Sequence, residues 1–194
     1  MKIVLATANP NKVREIQRVL PGIMEVIPQT ELDIPSPDET GLTFVENAII
    51  KARHAAELSG MPAIADDSGL EVDYLSGAPG IYSARFAGPD ATDADNNEKL
   101  LAALADVPAA SRTARFQCVI VFMEHALDPA PLISQGTWEG EILSAPRGTS
   151  GFGYDPLFLV PALGRSAAEL SPDEKHRLSH RGQALTRLHA MMGP

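Results

Sequence analysis

The chain has 194 residues and a mass of 20.7 kDa, and its 16 lysines and arginines against 25 aspartates and glutamates give a formal net charge of −9. This length favours one domain, residues 1–194, with its own core, while the 44% hydrophobic content excludes a disordered chain and no apolar run approaches the roughly 20 residues of a membrane helix. The acidic balance argues against a nucleic-acid partner, because such proteins usually present a basic face.

The first part of the chain alternates predicted strands and helices. Residues 2–7 form a short apolar strand, and the polar residues that follow come too soon for a signal peptide. Asn9-Pro10 predicts a helix start, because Asn is a good N-cap and Pro is favoured at the first helical position. The next predictions are a helix end at Pro21-Gly22, a strand 23–28, a loop 29–41, a helix with a Thr43–Glu46 capping box that ends at Gly60, and a strand 62–65 that ends at 66–69 and returns through 70–75 like a hairpin.

The second part of the chain predicts a sheet with antiparallel pairs. The predictions in order are a loop 76–92, a helix 93–105, a strand 113–124, a strand 132–143 paired with it, a glycine-rich loop 146–156, a capping box at Ser171–Glu174 and a last helix 179–192. The lone Cys118 excludes an intrachain disulfide and is expected to be a buried thiol, and Trp138 is expected to pack in the core. The mixture predicts an α/β or α+β fold, in a soluble cytoplasmic protein.

The segment Thr7-Ala8-Asn9-Pro10-Asn11-Lys12 joins the first strand to the first helix. Free N–H groups and the helix dipole favour an anion there, and Lys12 adds a full charge. Phosphate is the obvious candidate, although an ordinary capped surface helix has the same pattern.

Two adjacent carboxylates, Asp66 and Asp67, stand at the end of the predicted strand 62–65, before Ser68-Gly69. Like charges repel each other and raise one pKa unless a cation intervenes, and Mg²⁺ is the usual cation where phosphates also bind. Side chains alternate across a strand, so we expect only one of the two to reach a given metal. An Asx-type turn with solvated carboxylates is the alternative, which the apolar residues before it disfavour.

The loop Gly151-Phe152-Gly153-Tyr154-Asp155-Pro156 has two glycines around one aromatic residue. This pattern suits a backbone that approaches a planar ligand while Phe152 stacks on it. A tight turn whose aromatic side chains cap the core also fits, and these residues alone favour that interpretation.

The basic segment from Lys175 to Gly182 leads into the last helix and places His180 and Arg181 in its first turn. Cations there oppose the helix dipole, which suggests a bound anion or hydrogen-bond acceptor. Arginine is a multi-donor fork suited to carbonyl groups or phosphates. A solvated basic segment that offsets the acidic middle of the chain is the alternative.

Five stretches of the sequence together resemble the inosine triphosphate pyrophosphatase family, which acts on non-standard purine nucleoside triphosphates. They are ATANPNKVREI, ETGLTFVENAIIKARHAA, AIADDSGLEVDYLSGAPGIYSARFAG, GTSGFGYDPLF and ELSPDEKHRLSHRGQAL, from residue 6 to about residue 185 in the family's order. Each motif alone is weak, but all of them in order are highly specific. The one departure is Ala8, where the family often has glycine.

The resemblance implies a homodimer with an α/β fold, in which a long mixed central sheet flanked by helices splits into two lobes with the active-site cleft between them. It also implies Mg²⁺-dependent hydrolysis of ITP, dITP or XTP to the monophosphate and pyrophosphate. It places Thr7 to Lys12 on the triphosphate, makes Asp67 the catalytic acidic residue and a metal ligand beside Ser68, and matches Glu39 to a second metal-associated acid. The base-binding positions that it implies are Phe152, Gly153, Tyr154, Asp155, Lys175, His180 and Arg181.

Two other functions stay open at this point. A related pyrophosphatase that cleaves another triphosphate would share Lys12 and Asp67 but differ in its preferred base. A nucleotide-binding module without catalysis is disfavoured because Glu39 is present together with Lys12 and Asp67, and a mere binder need not keep such an acid cluster. We expect neither a nucleic acid nor a membrane as a partner.

Overall fold

A computed structural model describes residues 1–19 and 24–193 of the chain. The predicted helix end at Pro21-Gly22, and Ile23 at the start of the predicted strand 23–28, lie outside the described residues. The α-helices within them are α1 (Pro10–Val19), α2 (Phe44–Ser59), α3 (Asp93–Ala103), α4 (Pro172–Leu178) and α5 (His180–Met192). The strands are β1 (Lys2–Leu5), β2 (Glu25–Pro28), β3 (Ala63–Val72), β4 (Thr113–Met123), β5 (Leu132–Ile142), β6 (Phe158–Val160) and β7 (Arg165–Ser166). Among these described helices, none has the length and apolar character needed to cross a bilayer.

The seven strands form one mixed sheet in the order β2-β1-β3-β4-β5-β6-β7. β1 pairs in parallel with β2 and with β3, whereas β6 pairs antiparallel with β5 and with β7. The prediction of an α/β fold with a partly antiparallel sheet is therefore confirmed. Two predicted loops contain 3-10 helices, Gln29–Leu32 and Gly80–Arg85.

Several local signals act as the sequence predicts. The side chain of Thr43 accepts the N–H of Glu46 at the start of α2, and Gly60 ends that helix in the left-handed region at φ 67°. Ser171 and Glu174 form a complete capping box at the start of α4. Each of these devices satisfies backbone groups that the end of a helix leaves without partners.

The predicted hairpin at residues 62–75 is wrong, because β3 runs without interruption from Ala63 to Val72. Leu70 and Val72, assigned to the returning strand, are fully buried as a continuation of the same strand. Asp66 and Asp67 resemble a turn in the sequence, but cations from other elements contact both carboxylates. Their charges therefore do not force the strand to end in solvent.

The backbone divides into two compact units, and the division within β3 falls between Asp67 and Ser68. The first unit comprises residues 1–67, 118–136 and 181–194. Within this unit Ile3 and Leu5 pack with one apolar cluster and Val4 and Ala6 with another, as alternation along β1 requires. The second cluster includes the buried face of α2, formed by Ala48, Ala52, Ala55 and Ala56. Cys118 is buried in the first cluster, as expected.

The second unit comprises residues 68–117 and 137–180. Its core contains Trp138, as expected, and Phe158, whose rings lie 5.1 Å apart. A complete capping box between Thr92 and Asp95 begins α3, and Leu100 on the same helix is fully buried in this core.

Candidate active site

The junction between β1 and α1 is held by side chains that cap the helix. Thr7 Oγ1 accepts the N–H of Asn9 at 3.1 Å, and Asn9 Oδ1 accepts the N–H groups of Asn11 at 2.9 Å and Lys12 at 3.4 Å. The predicted Asn cap is thus confirmed. Ala8 is exposed and is not among the residues with positive φ, so its backbone does not require the glycine common in the family.

Asp66 is the anion on which two cations from distant parts of the chain meet. Its Oδ2 lies 2.9 Å from Lys12 Nζ and accepts from Arg181 Nε at 3.2 Å and Nη2 at 3.1 Å. Burial alone would raise the pKa of Asp66, but Lys12, Arg181 and Lys51 outweigh it and hold the pKa well below its usual range. The Arg181 guanidinium also pairs with Glu15. Asp66 is therefore an ionised anchor for Lys12 and Arg181.

Asp67 takes part in a different ion pair, as expected for the next residue of a strand. Lys51 Nζ on α2 lies 2.7 Å from Asp67 Oδ1 and 2.8 Å from Glu39 Oε1. Burial raises the pKa of Asp67, and the nearby lysines do not fully offset that effect. Burial would lower the pKa of Lys51, but Asp67, Asp66 and Glu39 together raise it. Lys51 thus stays charged and brings two carboxylates to one point.

The loop that carries Glu39 is fastened to α2 by a buried amide. Asn47 Oδ1 accepts the N–H of Gly41 at 2.8 Å, and Asn47 is fully buried. A Cβ at Gly41 would lie only 2.7 Å from that oxygen and 2.6 Å from Glu46 Cβ. Glycine at this position therefore allows the close approach that places Glu39 beside Lys51.

Lys51 and Glu15 are the site residues that the sequence interpretation missed. Lys51 lies three residues after Ala48 and four before Ala55, so it falls on the apolar face of α2. A lysine within an apolar stripe is a signal of a buried partner, and it was available in the sequence. Glu15 lies on an ordinary amphipathic helix, and no comparable signal marks it.

In the first unit, Lys12, Lys51 and Arg181 face Glu15, Glu39, Asp66 and Asp67, so three cations meet four carboxylates. Within the described part of the chain, no three histidine, cysteine, aspartate or glutamate side chains gather as a metal-binding group. The oxygens of Glu39 and Asp67 nevertheless converge on one ammonium group. Because Mg²⁺ takes few protein ligands where phosphates and waters complete its shell, this pair of hard oxygen donors and the excess negative charge fit that ion.

The predicted loop in the second unit is organised by the buried Asp155. Its Oδ2 accepts the backbone N–H of Phe152 at 2.9 Å and pairs with Lys175 Nζ at 2.6 Å. The same ammonium lies 4.9 Å from the centre of the Phe152 ring, within the range of a cation–π contact. The structure thus brings Phe152, Asp155 and Lys175 together, although Asp155 and Lys175 are 20 residues apart along the chain.

Three further candidates have different surroundings. Ser68 is a half-buried residue of β3 directly after Asp67. Tyr154 is buried, and its hydroxyl donates to the carbonyl of Ser83 at 2.8 Å. His180 is buried with its ring stacked on Phe116, the centroids 4.7 Å apart. The assignment of His180 and Arg181 to base binding stays a prediction, and Arg181 shares one of its acidic partners, Asp66, with Lys12.

Comparisons with known proteins agree across almost the whole chain. A model of the Ham1 family matches residues 3–191. A protein of Yersinia pseudotuberculosis named dITP/XTP pyrophosphatase is 63% identical over 185 residues, which cover 95% of this chain and 94% of the relative. The solved structure of a HAM1 protein from Coxiella burnetii has a TM-score of 0.92 and 54% identity, covering 99% of this chain and 98% of that one. For the Ham1 protein of Staphylococcus aureus the TM-score is 0.87 at 41% identity, with coverage of 99% and 98%.

Proposed function

Because the chain belongs to the Ham1 family, we propose that it hydrolyses the α–β phosphoanhydride bond of non-standard purine nucleoside triphosphates. The substrates are dITP, ITP and XTP, and the products are the monophosphate and pyrophosphate. The relative from Yersinia pseudotuberculosis, named dITP/XTP pyrophosphatase, supports the substrate class. The observation that carries the proposal is the division of two adjacent aspartates between two sets of cations, Asp66 with Lys12 and Arg181, and Asp67 with Lys51.

Lys12 and the start of α1 hold the triphosphate in this proposal. The side chain of Lys12 is 15% exposed, and its ammonium lies 2.9 Å from the carboxylate of Asp66, so Asp66 orients the positive charge that meets a phosphate oxygen. Asp66 sets the direction of Lys12 before substrate arrives. Fixed cations lower the barrier because they are already oriented where negative charge develops on the departing pyrophosphate.

Asp67 orients the attacking water and accepts its proton as a general base. Its second oxygen is available for this role because Lys51 binds Oδ1. Glu39 and Asp67 are the residues that would hold Mg²⁺, which would neutralise phosphate charge when bound. Lys51 limits the repulsion between these two carboxylates.

Recognition of the base is assigned to Phe152, Gly153, Tyr154 and Asp155, with Lys175, His180 and Arg181. The Phe152 ring offers a stacking face, and cationic donors satisfy the 6-keto group of hypoxanthine or xanthine. Adenine carries an amino donor there, which would leave the donors of the site unpaired. A polar mismatch of that kind costs orders of magnitude in rate.

A substrate panel tests the proposal. We expect pyrophosphate release from dITP, ITP and XTP to be much faster than from ATP or GTP, and EDTA to abolish it. Equal rates on ITP and ATP would contradict the base selection, and full activity in EDTA would contradict the role of Mg²⁺. The homodimer and the cytoplasmic location are proposed with it, on the support of the resemblance, and light scattering of the purified protein tests the first.

A further inference from the structure

The peptide groups on both sides of Gly153 are held by side chains of α3. The N–H of Gly153 donates to Asp93 Oδ2 at 2.7 Å, and its carbonyl accepts from Asn97 Nδ2 at 2.8 Å. Gly153 has φ 59° and stands between Phe152 and Tyr154. The two bonds therefore fix the backbone at the centre of the loop 151–155, which we call the base loop.

The helix that makes these bonds is itself held firmly. Thr92 and Asp95 form its capping box. Asn96, nearly fully buried, accepts the N–H of Ala87 at 2.7 Å and donates to the carbonyl of Ala84 at 3.1 Å. Because α3 is fastened in this way, Asp93 and Asn97 present their polar atoms to the base loop from a rigid support.

The Asn97 amide is oriented for the base loop rather than for packing. Its Nδ2 also donates to the backbone carbonyl of Asp93 at 2.7 Å, one turn earlier, which fixes the rotamer. Its Oδ1 is buried and accepts no hydrogen bond from the described residues. A buried oxygen without a hydrogen bond lowers the free energy of unfolding, and a leucine of similar shape would not carry that cost. What the amide contributes is therefore its hydrogen bond to the carbonyl of Gly153.

The hold on Gly153 bears on the direction of the Phe152 ring. Asp155 accepts the N–H of Phe152, which fixes the peptide group before the ring. Asp93 accepts the N–H of Gly153, which fixes the peptide group after it. Loss of the α3 bonds would release the Gly153 side of Phe152, while the Asp155 bond and the Lys175 contact with the ring persist, and the ring would sample more directions. Binding would then have to order the loop, and that ordering weakens affinity.

We propose that Asp93 and Asn97 are positioning residues of the base loop, which set the affinity for the purine base and the discrimination between bases. The inference rests on the proposed role of this loop in base binding. Neither side chain needs to touch the substrate. Their effect is therefore on KM and on base preference, and turnover of bound substrate stays close to normal.

Matched variants separate positioning from simple packing. Asp93→Ala removes the acceptor for the Gly153 N–H, whereas Asp93→Asn removes the same charge but keeps an acceptor oxygen. Asn97→Leu removes the donor at similar volume, and Glu98→Ala is a control at an exposed position of the same helix. We expect Asp93→Ala and Asn97→Leu to raise KM for XTP and dITP about tenfold, with kcat changed less than about threefold, since one hydrogen bond is typically worth close to a factor of ten.

The experiment measures KM, kcat, the ratio of XTP to GTP turnover, XMP binding by calorimetry and the melting temperature of each variant. The inference requires weaker XMP binding and a lower XTP to GTP ratio in Asp93→Ala and Asn97→Leu, and near-normal values in Asp93→Asn and Glu98→Ala. Unchanged KM and XMP affinity, or a lowered melting temperature with no change in base preference, would overturn it. A wild-type protein that does not hydrolyse XTP or dITP would instead contradict the proposed function.

Discussion

Replacing Gly151 by alanine tests whether Asp155 organises the base loop. A Cβ at Gly151 would lie 2.0 Å from Asp155 Oδ2 and 2.9 Å from its Cγ. Ordinary contacts are about 3.5 Å, so the carboxylate must retreat by about 1.5 Å. That carboxylate is buried and holds Phe152 N–H at 2.9 Å and Lys175 Nζ at 2.6 Å. A retreat of this size breaks both bonds.

Gly153→Ala is the matched control, because Gly153 is also left-handed but a Cβ there meets nothing within 4 Å. We expect Gly153→Ala to lower the free energy of unfolding by about 1 kcal/mol, from backbone strain alone. Gly151→Ala should lose about 3–4 kcal/mol, since it adds the loss of bonds to a buried charged group.

Urea denaturation measures the loss of stability in both variants. Steady-state pyrophosphate release from XTP measures the effect on substrate binding. In the kinetic assay we expect KM for XTP to rise about tenfold or more for Gly151→Ala. A loss of stability in Gly151→Ala no larger than in Gly153→Ala, together with a wild-type KM for Gly151→Ala, would show that Asp155 does not organise the loop.

Three further predictions concern residues of the first unit. Lys51→Met should lower the free energy of unfolding by about 3 kcal/mol in urea titrations at pH 7, because it leaves Asp67 and Glu39 facing each other without their shared cation; a loss under about 1 kcal/mol would contradict the buried pairing. Asp67→Asn keeps an oxygen for Lys51 and should retain the wild-type circular dichroism spectrum while kcat falls about a thousandfold, and retained turnover would remove Asp67 from the role of general base. Burial raises the pKa of the Cys118 thiol to about 12, which keeps the thiol protonated in the folded state; its contribution to stability is present below pH 9 and is lost as the pH rises towards 12. Iodoacetamide at pH 8.5 should therefore label Cys118 in urea but not in the native protein, and equal labelling would show that the thiol is accessible.

The elements of the fold follow closely from local sequence patterns. The Asn9, Thr43 and Ser171 caps lie where the sequence predicts them, because a cap depends on bonds within one helical turn. The hairpin assigned to residues 62–75 failed for a related reason. Asp66-Asp67-Ser68-Gly69 has the composition of a turn, and the cations that allow a strand to continue through it lie elsewhere in the chain.

The candidate site divides in the same way. Asn9, Lys12 and Asp67 belong to motifs that the sequence displays within a few residues, and Phe152 and Asp155 belong to one short loop. The partners were not visible: Lys51 is 16 residues from Asp67, and Arg181 is 115 residues from Asp66. A lysine on the apolar face of α2 marked one of these partners, but it did not say which carboxylate it would meet.

By itself, therefore, the sequence determined most of the strands and helices, where several helices are capped, and which family motifs are present. The tertiary structure decided that Asp66 anchors Lys12 and Arg181 while its neighbour Asp67 shares Lys51 with Glu39. The reason is physical. Periodicity and capping depend on neighbours along the chain, whereas the partner of a buried charge depends on strand order and on the face to which each strand directs successive side chains.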